Sequence, residues 1–309
     1  MIDVSIIIIN YKKAEMTYNA IKSIIDNSNH FSYEIIVVDN SNDEEEFNHL
    51  SKLVGDNANI VNPKSNLGFG GANNLGASVS KGRYLYFINN DTLLLNNSIY
   101  ELFKAMENDE NIGIVGSNLF DSDEKPNHSF IPYEKNYRSD KRSASVLRIL
   151  LAKVRKRRSD FNYSHDPMKI EGYVCGASLF IRKDLFDKLN GFSKDIFMYA
   201  EDALICYRLI HELHKEIYNI PTSKIIHYEG ISLDNDINPF RADNIINGNS
   251  VYYKTIFGNK MCLKYLKMMA KKCHQYALVK RLMHKDYRGN VMYMEKYYEK
   301  YNEMKGKEE

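Results

Sequence analysis

Short runs of β-branched and aromatic residues alternate, along the first half of the chain, with stretches whose apolar residues recur every three or four positions. Val4 to Asn10, VSIIIIN, is a continuous β-branched run of the kind found in a parallel strand covered on both faces. Ile21, Ile24 and Ile25 then recur at helical spacing between Ala14 and Asn27. Tyr33 to Asp39, YEIIVVD, predicts a second buried strand, followed by a polar helix through Leu53 and a short strand from Asn59 to Asn62. Strand, helix, strand, helix, strand is the doubly wound α/β plan, with right-handed crossovers and a mostly parallel sheet. The pattern continues with a helix from Gly71 to Ser80, an apolar strand within Arg83 to Leu95, a helix from Ser98 to Asn108 and a strand from Ile112 to Ser117. Asp121 to Tyr137 has little periodicity and reads as loop. Lys169 to Arg182 reads as a strand interrupted by Gly176, before a short helix from Lys183 to Leu189 and a longer one opening at Glu201 and Asp202. A last strand pair lies within Ile217 to Ile226, and the chain beyond Asp243 is helical and basic.

Polar residues collect where these apolar runs stop. RYLYFINNDTLLL breaks on Asn89, Asn90 and Asp91. At the carboxyl edge of an open α/β sheet, where ligands bind, this group offers hard oxygen ligands to a divalent cation such as Mg²⁺ or Mn²⁺. The alternative is a turn or a helix cap. The loop SNLGFGGANNLG is not GxGxxG, because Asn73 stands at the third glycine position, and it follows the third strand rather than the first. With no GxxxxGK[ST] either, dinucleotide and P-loop readings are rejected. Gly68 and its neighbours still allow close approach of a ligand, and Asn66, Asn73 and Asn74 could offer amides to a base, ribose or sugar; a plain turn before a helix is the competing reading. Glu201 and Asp202 could hold a general base, or complement a helix dipole. A lone histidine such as His227 is more often structural.

Composition narrows the class. The 309 residues are 44% hydrophobic, enough for a sizeable core. No basic leader precedes the first strand and no apolar run reaches the ~20 residues of a membrane span, so a soluble or peripherally bound protein is expected. Cys175, Cys206, Cys262 and Cys273 lack zinc-site spacing and disulfide-scaffold density, which fits reduced thiols in a cytosol. The net charge of +2 hides two basic segments: Glu134 to Arg158 carries ten Lys and Arg against two acids, and Lys260 to Lys305 twelve against four. The first contains SASVLRILLAKVRKRR, patterned as an interfacial amphipathic helix, and an anionic membrane surface or a packed helix face would account for it. No nucleic-acid-binding motif accompanies it.

Taken together, IIINY, VVDNS, NLGFGGANNLG, FINNDT, CGASLFIR, GF followed by MYAEDALICYR, and HYEGIS form an ordered set over about Val4 to Ser232. In that set the chain resembles the family 2 glycosyltransferases of GT-A fold, especially rhamnosyltransferase-like bacterial enzymes of O-antigen and capsule synthesis. The resemblance implies a catalytic domain over 1–240, with a basic amphipathic insertion at about 134–160, and a helical basic extension over 241–309. It implies an inverting enzyme that moves a sugar from a nucleoside-diphosphate donor, dTDP-rhamnose or a UDP-hexose, to a lipid-linked or oligosaccharide acceptor. Asn10, Asp39, Asn66, Gly68, Asn74 and Asn90 match donor-binding positions. Asp91 matches the metal motif, joined by Asn89 and His227. Asp202 matches the catalytic base, with Glu201 second. Asn89 replaces the first acid of the DxD motif, and Leu204 stands where many relatives carry another acid. The rivals are a non-catalytic nucleotide-sugar-binding scaffold and a metal-dependent nucleotide-sugar hydrolase or nucleotidyltransferase. The latter would need a basic triphosphate loop, for which Asn10-Tyr11-Lys12-Lys13 is a poor candidate.

Overall fold

The computed structural model describes residues 2–143, 163–228 and 238–306. The chain divides into two compact units, one of Met1–Glu134, Phe161–Phe197 and Glu201–Ser232, the other of Lys135–Asp160, Met198–Ala200 and Leu233–Glu309.

In the first unit the chain runs through β1 (Val4–Asn10), α1 (Ala14–Asn27), β2 (Tyr33–Asp39), α2 (Glu44–Val54), β3 (Asn59–Val61), α3 (Gly68–Val79), β4 (Tyr84–Asn89), β5 (Thr92–Leu94), α4 (Ser98–Asn108), β6 (Ile112–Phe120) and β7 (Phe130–Ile131). After α5 (Tyr137–Ser143), which belongs to the second unit, come β8 (Met168–Lys169), β9 (Tyr173–Val174), β10 (Ser178–Arg182), α6 (Lys183–Lys188), α7 (Glu201–Leu213) and β11 (Glu216–His227). The main sheet has the order β3-β2-β1-β4-β10-β6-β11-β5, with β8 on β11. Strands β3, β2, β1 and β4 are parallel. Strand β10 then runs antiparallel to both β4 and β6, and β11 returns parallel to β6. Strands β7 and β9 make a separate small pair.

The isoleucine run of β1 sorts its side chains by the two-residue period of a strand. Val4, Ile6 and Ile8 pack with Ile21 and Ile24 of α1, Leu50 of α2, and Ile99 and Leu102 of α4. Ile7 faces the opposite side, with Ala77 of α3, Leu185 and Phe186 of α6, and Cys206 and Leu209 of α7. Helix α3 comes close enough that a Cβ at Gly76 would stand 2.5 Å from Ile7 Cγ2, so the glycine is a packing residue there.

Four elements differ from the sequence expectation. The glycine-rich segment is not a loop before a helix: α3 begins at Gly68, so Gly68, Gly70 and Gly71 form its first turn. The apolar run from Arg83 to Leu95 is two strands of opposite direction, because the chain turns at Asn90-Asp91 and β5 pairs with β11. The interrupted strand from Lys169 to Arg182 is three, β8, β9 and β10, the last lying between β4 and β6. The last strand pair is instead one strand, β11, whose pairing with β6 shifts register between Ile220 and Lys224. Most of the predicted amphipathic helix lies outside the described residues.

The second unit contains α5, α8 (Pro239–Phe257), α9 (Asn259–Leu282) and α10 (Arg288–Gly306). Its core is tyrosine-rich: Tyr253 stacks on Tyr265 at 4.1 Å, and Tyr297 meets Tyr265 edge-on. The buried Lys272 ammonium donates to the carbonyls of Asp140 and Lys141 at the end of α5, which satisfies those otherwise open acceptors. Burial holds its pKa below the ordinary lysine value.

Candidate active site

Strands β1, β2 and β4 end side by side. Their register sets Asn10 opposite Asp39 and Ile9 opposite Asn89, so three polar strand ends line one sheet edge. Asn10 and Asp39 are fully buried. Asn10 Nδ2 donates to Asp39 Oδ1 at 2.9 Å and to Glu46 Oε1 at 3.1 Å, while Thr17 Oγ1 donates to Asn10 Oδ1 at 2.8 Å. Glu46 is set in place by Asp43, which caps α2 through the amides of Glu45 and Glu46. Asn90 Nδ2 donates to Thr17 Oγ1 at 3.0 Å. Asn10 therefore spends its amide inside the protein, where it braces Asp39. Asp39 keeps its other oxygen, Oδ2, buried and without a hydrogen-bond partner.

Asn40, next to Asp39, was not singled out in the sequence, yet it organises the glycine-rich turn. Its Oδ1 accepts from Leu67 N at 2.8 Å, and its Nδ2 donates to Asn66 Oδ1 at 2.9 Å and to the Gly68 carbonyl at 3.2 Å. Gly68 N also donates to Asn66 Oδ1. Asn66 is exposed, with its Nδ2 directed to no described partner. Asn74 closes both ends of its amide on one backbone residue: its Nδ2 donates to the Phe192 carbonyl and its Oδ1 accepts from Phe192 N, both at 2.9 Å, which clamps the turn at Asn190-Gly191.

The turn after β4 carries the second cluster. Thr92 is opposite His227 in the β5–β11 pairing, and Tyr228 N donates to the Asp91 carbonyl. This brings His227 Nε2 to 3.4 Å from Asp91 Oδ1 and 3.5 Å from Asn89 Nδ2. The Asp91–His227 approach is close enough for an ion pair but lacks hydrogen-bond geometry, so the buried Asp91 Oδ1 has no hydrogen-bond partner. A carboxylate oxygen and an imidazole nitrogen, with an asparagine amide beside them, are donors that suit a divalent cation. Among the described residues no group of three His, Cys, Asp or Glu is assembled; here the asparagine supplies the third polar side chain. A cavity of about 920 Å³ adjoins the turn, lined in part by Lys12, Lys13, Glu46, Asn90, Asp91 and Tyr228.

The third cluster is Glu201 and Asp202, at the start of α7. Asp202 Oδ2 accepts from Gly176 N at 3.1 Å and its Oδ1 from Ala203 N at 2.7 Å. Asn89 N in turn donates to the Ala177 carbonyl at 3.2 Å. Two adjacent residues, Gly176 and Ala177, thus tie the carboxylate of Asp202 to the strand end that precedes Asp91. Glu201 is buried, and its Oε2 has no hydrogen-bond partner. Burial, with the neighbouring Asp202 charge, pushes its pKa up to about 8. The pair is thereby unequal: the enclosed Glu201 favours its protonated form, while the Asp202 carboxylate accepts from two backbone amides.

A fourth constraint joins the turn at Gly68 to the approach to α7. Phe69 N donates to the Phe197 carbonyl at 2.8 Å, and a Cβ on Gly68 would stand 2.2 Å from that oxygen. Gly68 also has φ +71°, a left-handed conformation costly for other residues. Gly68→Ala is therefore expected to lose at least ~1–2 kcal/mol of stability in urea denaturation, and Gly71→Ala, which needs no positive φ and meets only Leu67 Cβ at 3.1 Å, to lose less.

Comparisons with known proteins place the chain in a family. The model of the family described as "Glycosyl transferase family 2" matches residues 5–189. The chain is 26% identical over 215 residues to the low-salt glycan biosynthesis hexosyltransferase Agl10 of Haloferax volcanii, covering 68% of this chain and 62% of that one. It is 33% identical over 105 residues to an uncharacterized glycosyltransferase of Rickettsia bellii, covering 34% of this chain and 15% of that one. The crystal structure of GalNAc-T7 with UDP, GalNAc and Mn²⁺ superposes with a TM-score of 0.56 at 15% identity, over 82% of this chain and 50% of the other. The chain thus spans less than two thirds of each of these proteins, and the last likeness is one of fold, the GT-A fold. Because the family model takes in more than half of the chain, including the strand ends at Asn10, Asp39 and Asn89, this protein belongs to glycosyl transferase family 2.

Proposed function

We propose that the protein transfers a sugar from a nucleoside-diphosphate donor to an acceptor hydroxyl, with inversion at the anomeric carbon. The observation that carries the reading is the set of buried carboxylate oxygens without hydrogen-bond partners. Among the described residues these are Asp39 Oδ2, Asp91 Oδ1 and Glu201 Oε2, all at positions named from the sequence. Buried polar atoms are nearly always satisfied, so unpaired ones mark places where a ligand, ion or proton completes the structure.

In this reading Asp39 Oδ2 accepts a hydrogen bond from the nucleoside, held in place by Asn10, and Asn66 with the Asn40-braced turn lines the donor site. Asp91, with His227 and Asn89 beside it, would hold a divalent metal, Mn²⁺ or Mg²⁺. Such an ion supplies positive charge against the departing diphosphate. Asp202 is held by the amides of Gly176 and Ala203 and receives the proton of the acceptor hydroxyl. The acceptor oxygen forms its bond to the anomeric carbon as the bond to the diphosphate oxygen breaks, and the leaving group keeps that electron pair. The Asn89–Ala177 and Gly176–Asp202 hydrogen bonds favour a concerted arrangement, since they link base and metal side through two residues. Among the described residues this edge offers no separate nucleophile, which favours a single displacement. Rhamnose on dTDP or a hexose on UDP is the donor, and a growing bacterial surface glycan, lipid-linked or free, is the acceptor. The enzyme works in the cytoplasm, and its basic segments bring it to the anionic inner leaflet.

A panel of dTDP-rhamnose and the common UDP-sugars with Mn²⁺ or Mg²⁺ tests the assignment. One donor is expected to bind in a metal-dependent way and to hydrolyse slowly. Asp91→Ala should abolish that binding, whereas Asp202→Ala should spare it and lower turnover by about 10²–10⁴-fold. Absence of binding by any nucleotide sugar would remove the reading.

Glu201 gives a prediction in pH. Its folded pKa, about 8, lies above the ordinary value of 4.5, so the folded state binds the extra proton between these limits. That contribution to stability is complete below about pH 4.5 and is lost as pH rises towards 8. The melting temperature of wild type should therefore fall over this window more steeply than that of Glu201→Gln. The Gln variant should also keep its turnover, and loss of turnover as severe as in Asp202→Ala would transfer the base role to Glu201.

A further inference from the structure

We infer that the corner between α9 and α10 is a membrane-docking surface for anionic phospholipid. Helix α9 outruns its own packing. Its last buried residue is Ala277, and every residue from Lys280 to Arg288 is exposed. The helix nevertheless continues to Leu282, about one further turn into solvent.

The side chains on this projection are not those of a solvated helix end. Leu278 is 47% exposed, Leu282 81%, Met283 49% and Tyr287 37%. Leu278 and Leu282 are four residues apart and share one helix face. Around them stand Lys280, Arg281, Lys285 and Arg288 against a single acid, Asp286. Arg288 pairs with Asp286 at 3.0 Å, whereas Lys280, Arg281 and Lys285 form no ion pair among the described residues. Exposed aliphatic tips ringed by unpaired cations match the acyl boundary and phosphate layer of a bilayer. A second copy fits less well, because a two-fold contact through this corner would set the same cations against each other. Nucleic acid would meet the cations, but the tip they surround is mostly aliphatic, Leu278, Leu282 and Met283 beside the partly covered Tyr287, which suits hydrocarbon better than stacked bases. No described helix is long and apolar enough to cross a membrane, so the surface would rest in one leaflet.

The inference deepens the membrane part of the proposed function, but it depends only on exposure and charge, so it can fail while sugar transfer stands, or hold while transfer fails. The chain has no tryptophan, which makes Leu282→Trp a single fluorescent reporter at the projection. Val79→Trp, at a position 38% exposed at the end of α3 in the other unit, is the control. Full-length variants are mixed with vesicles of phosphatidylcholine, alone or blended with phosphatidylglycerol. The emission of the Leu282→Trp variant is expected to shift to the blue with the anionic vesicles only, and to return at high salt, while that of the Val79→Trp variant stays unchanged. In flotation of the otherwise wild-type chain, each of Lys280→Gln, Arg281→Gln and Lys285→Gln should weaken binding about fivefold. Leu278→Gln with Leu282→Gln should weaken it further, with little change in melting temperature because Leu282 is largely exposed and Leu278 about half so. The inference is overturned if neither vesicle shifts the reporter, if neutral vesicles shift it equally, or if all the variants float like wild type. It is also overturned if light scattering shows a wild-type dimer that Leu282→Gln disperses.

Discussion

Because β10 runs antiparallel between β4 and β6, with Ser178 opposite Ile88 and Leu179 opposite Gly116, the residues just before it are carried over the carboxyl edge of the sheet. From there the Ala177 carbonyl accepts from Asn89 N, and Gly176 N reaches the Asp202 carboxylate. One strand insertion thereby fixes the distance between two sets of charged groups that come from parts of the chain more than a hundred residues apart. A wholly parallel sheet would place β6 next to β4 and leave Asp202 without this anchor. The hydroxyl chain from Tyr86 through Ser178 and Ser117 to Ser223 crosses β4, β10 and β6, ends on β11, and satisfies these buried side chains.

The electrostatics of the edge follow from that placement. Asp39, Asp91 and Glu201 are all taken out of water, yet each is treated differently. Asp39 has one oxygen saturated by Asn10 and the other open; Asp91 faces an imidazole; Glu201 faces another carboxylate and keeps its proton. Glu201 and Asp202, adjacent in sequence, thus meet different surroundings in the fold. Burial makes the difference, since the side chain of Glu201 is enclosed whereas that of Asp202 is held at partial exposure by backbone amides.

Much of this was legible before the structure. The boundaries of β1, α1, β2 and α4 follow from local periodicity, because an isoleucine run covered on both faces has few other uses. The polar ends of those strands were legible for the same reason: a strand that stops on Asn or Asp puts the group at the edge. What local pattern does not encode is which polar group meets which. Asn74 finds its partner at Phe192, and Asn10 finds Glu46 on a helix that a capping aspartate positions. Asn40 gives no local signal beside the charged Asp39, although it holds the glycine turn. Antiparallel β5 was hidden inside a single apolar run, since Asn-Asn-Asp is equally compatible with a strand end and with a reversal.

The central claim is that the ends of β1, β2, β4 and β11 form one site for a nucleoside diphosphate and a divalent ion. The most direct measurement is anomalous diffraction at the manganese edge from crystals grown with Mn²⁺ and UDP or dTDP. The account predicts a single strong anomalous peak bound by the Asp91 carboxylate and His227, with the diphosphate on the same ion and the nucleoside reaching Asp39. A peak bound elsewhere, or a nucleotide that leaves Asp39 Oδ2 untouched, would contradict it.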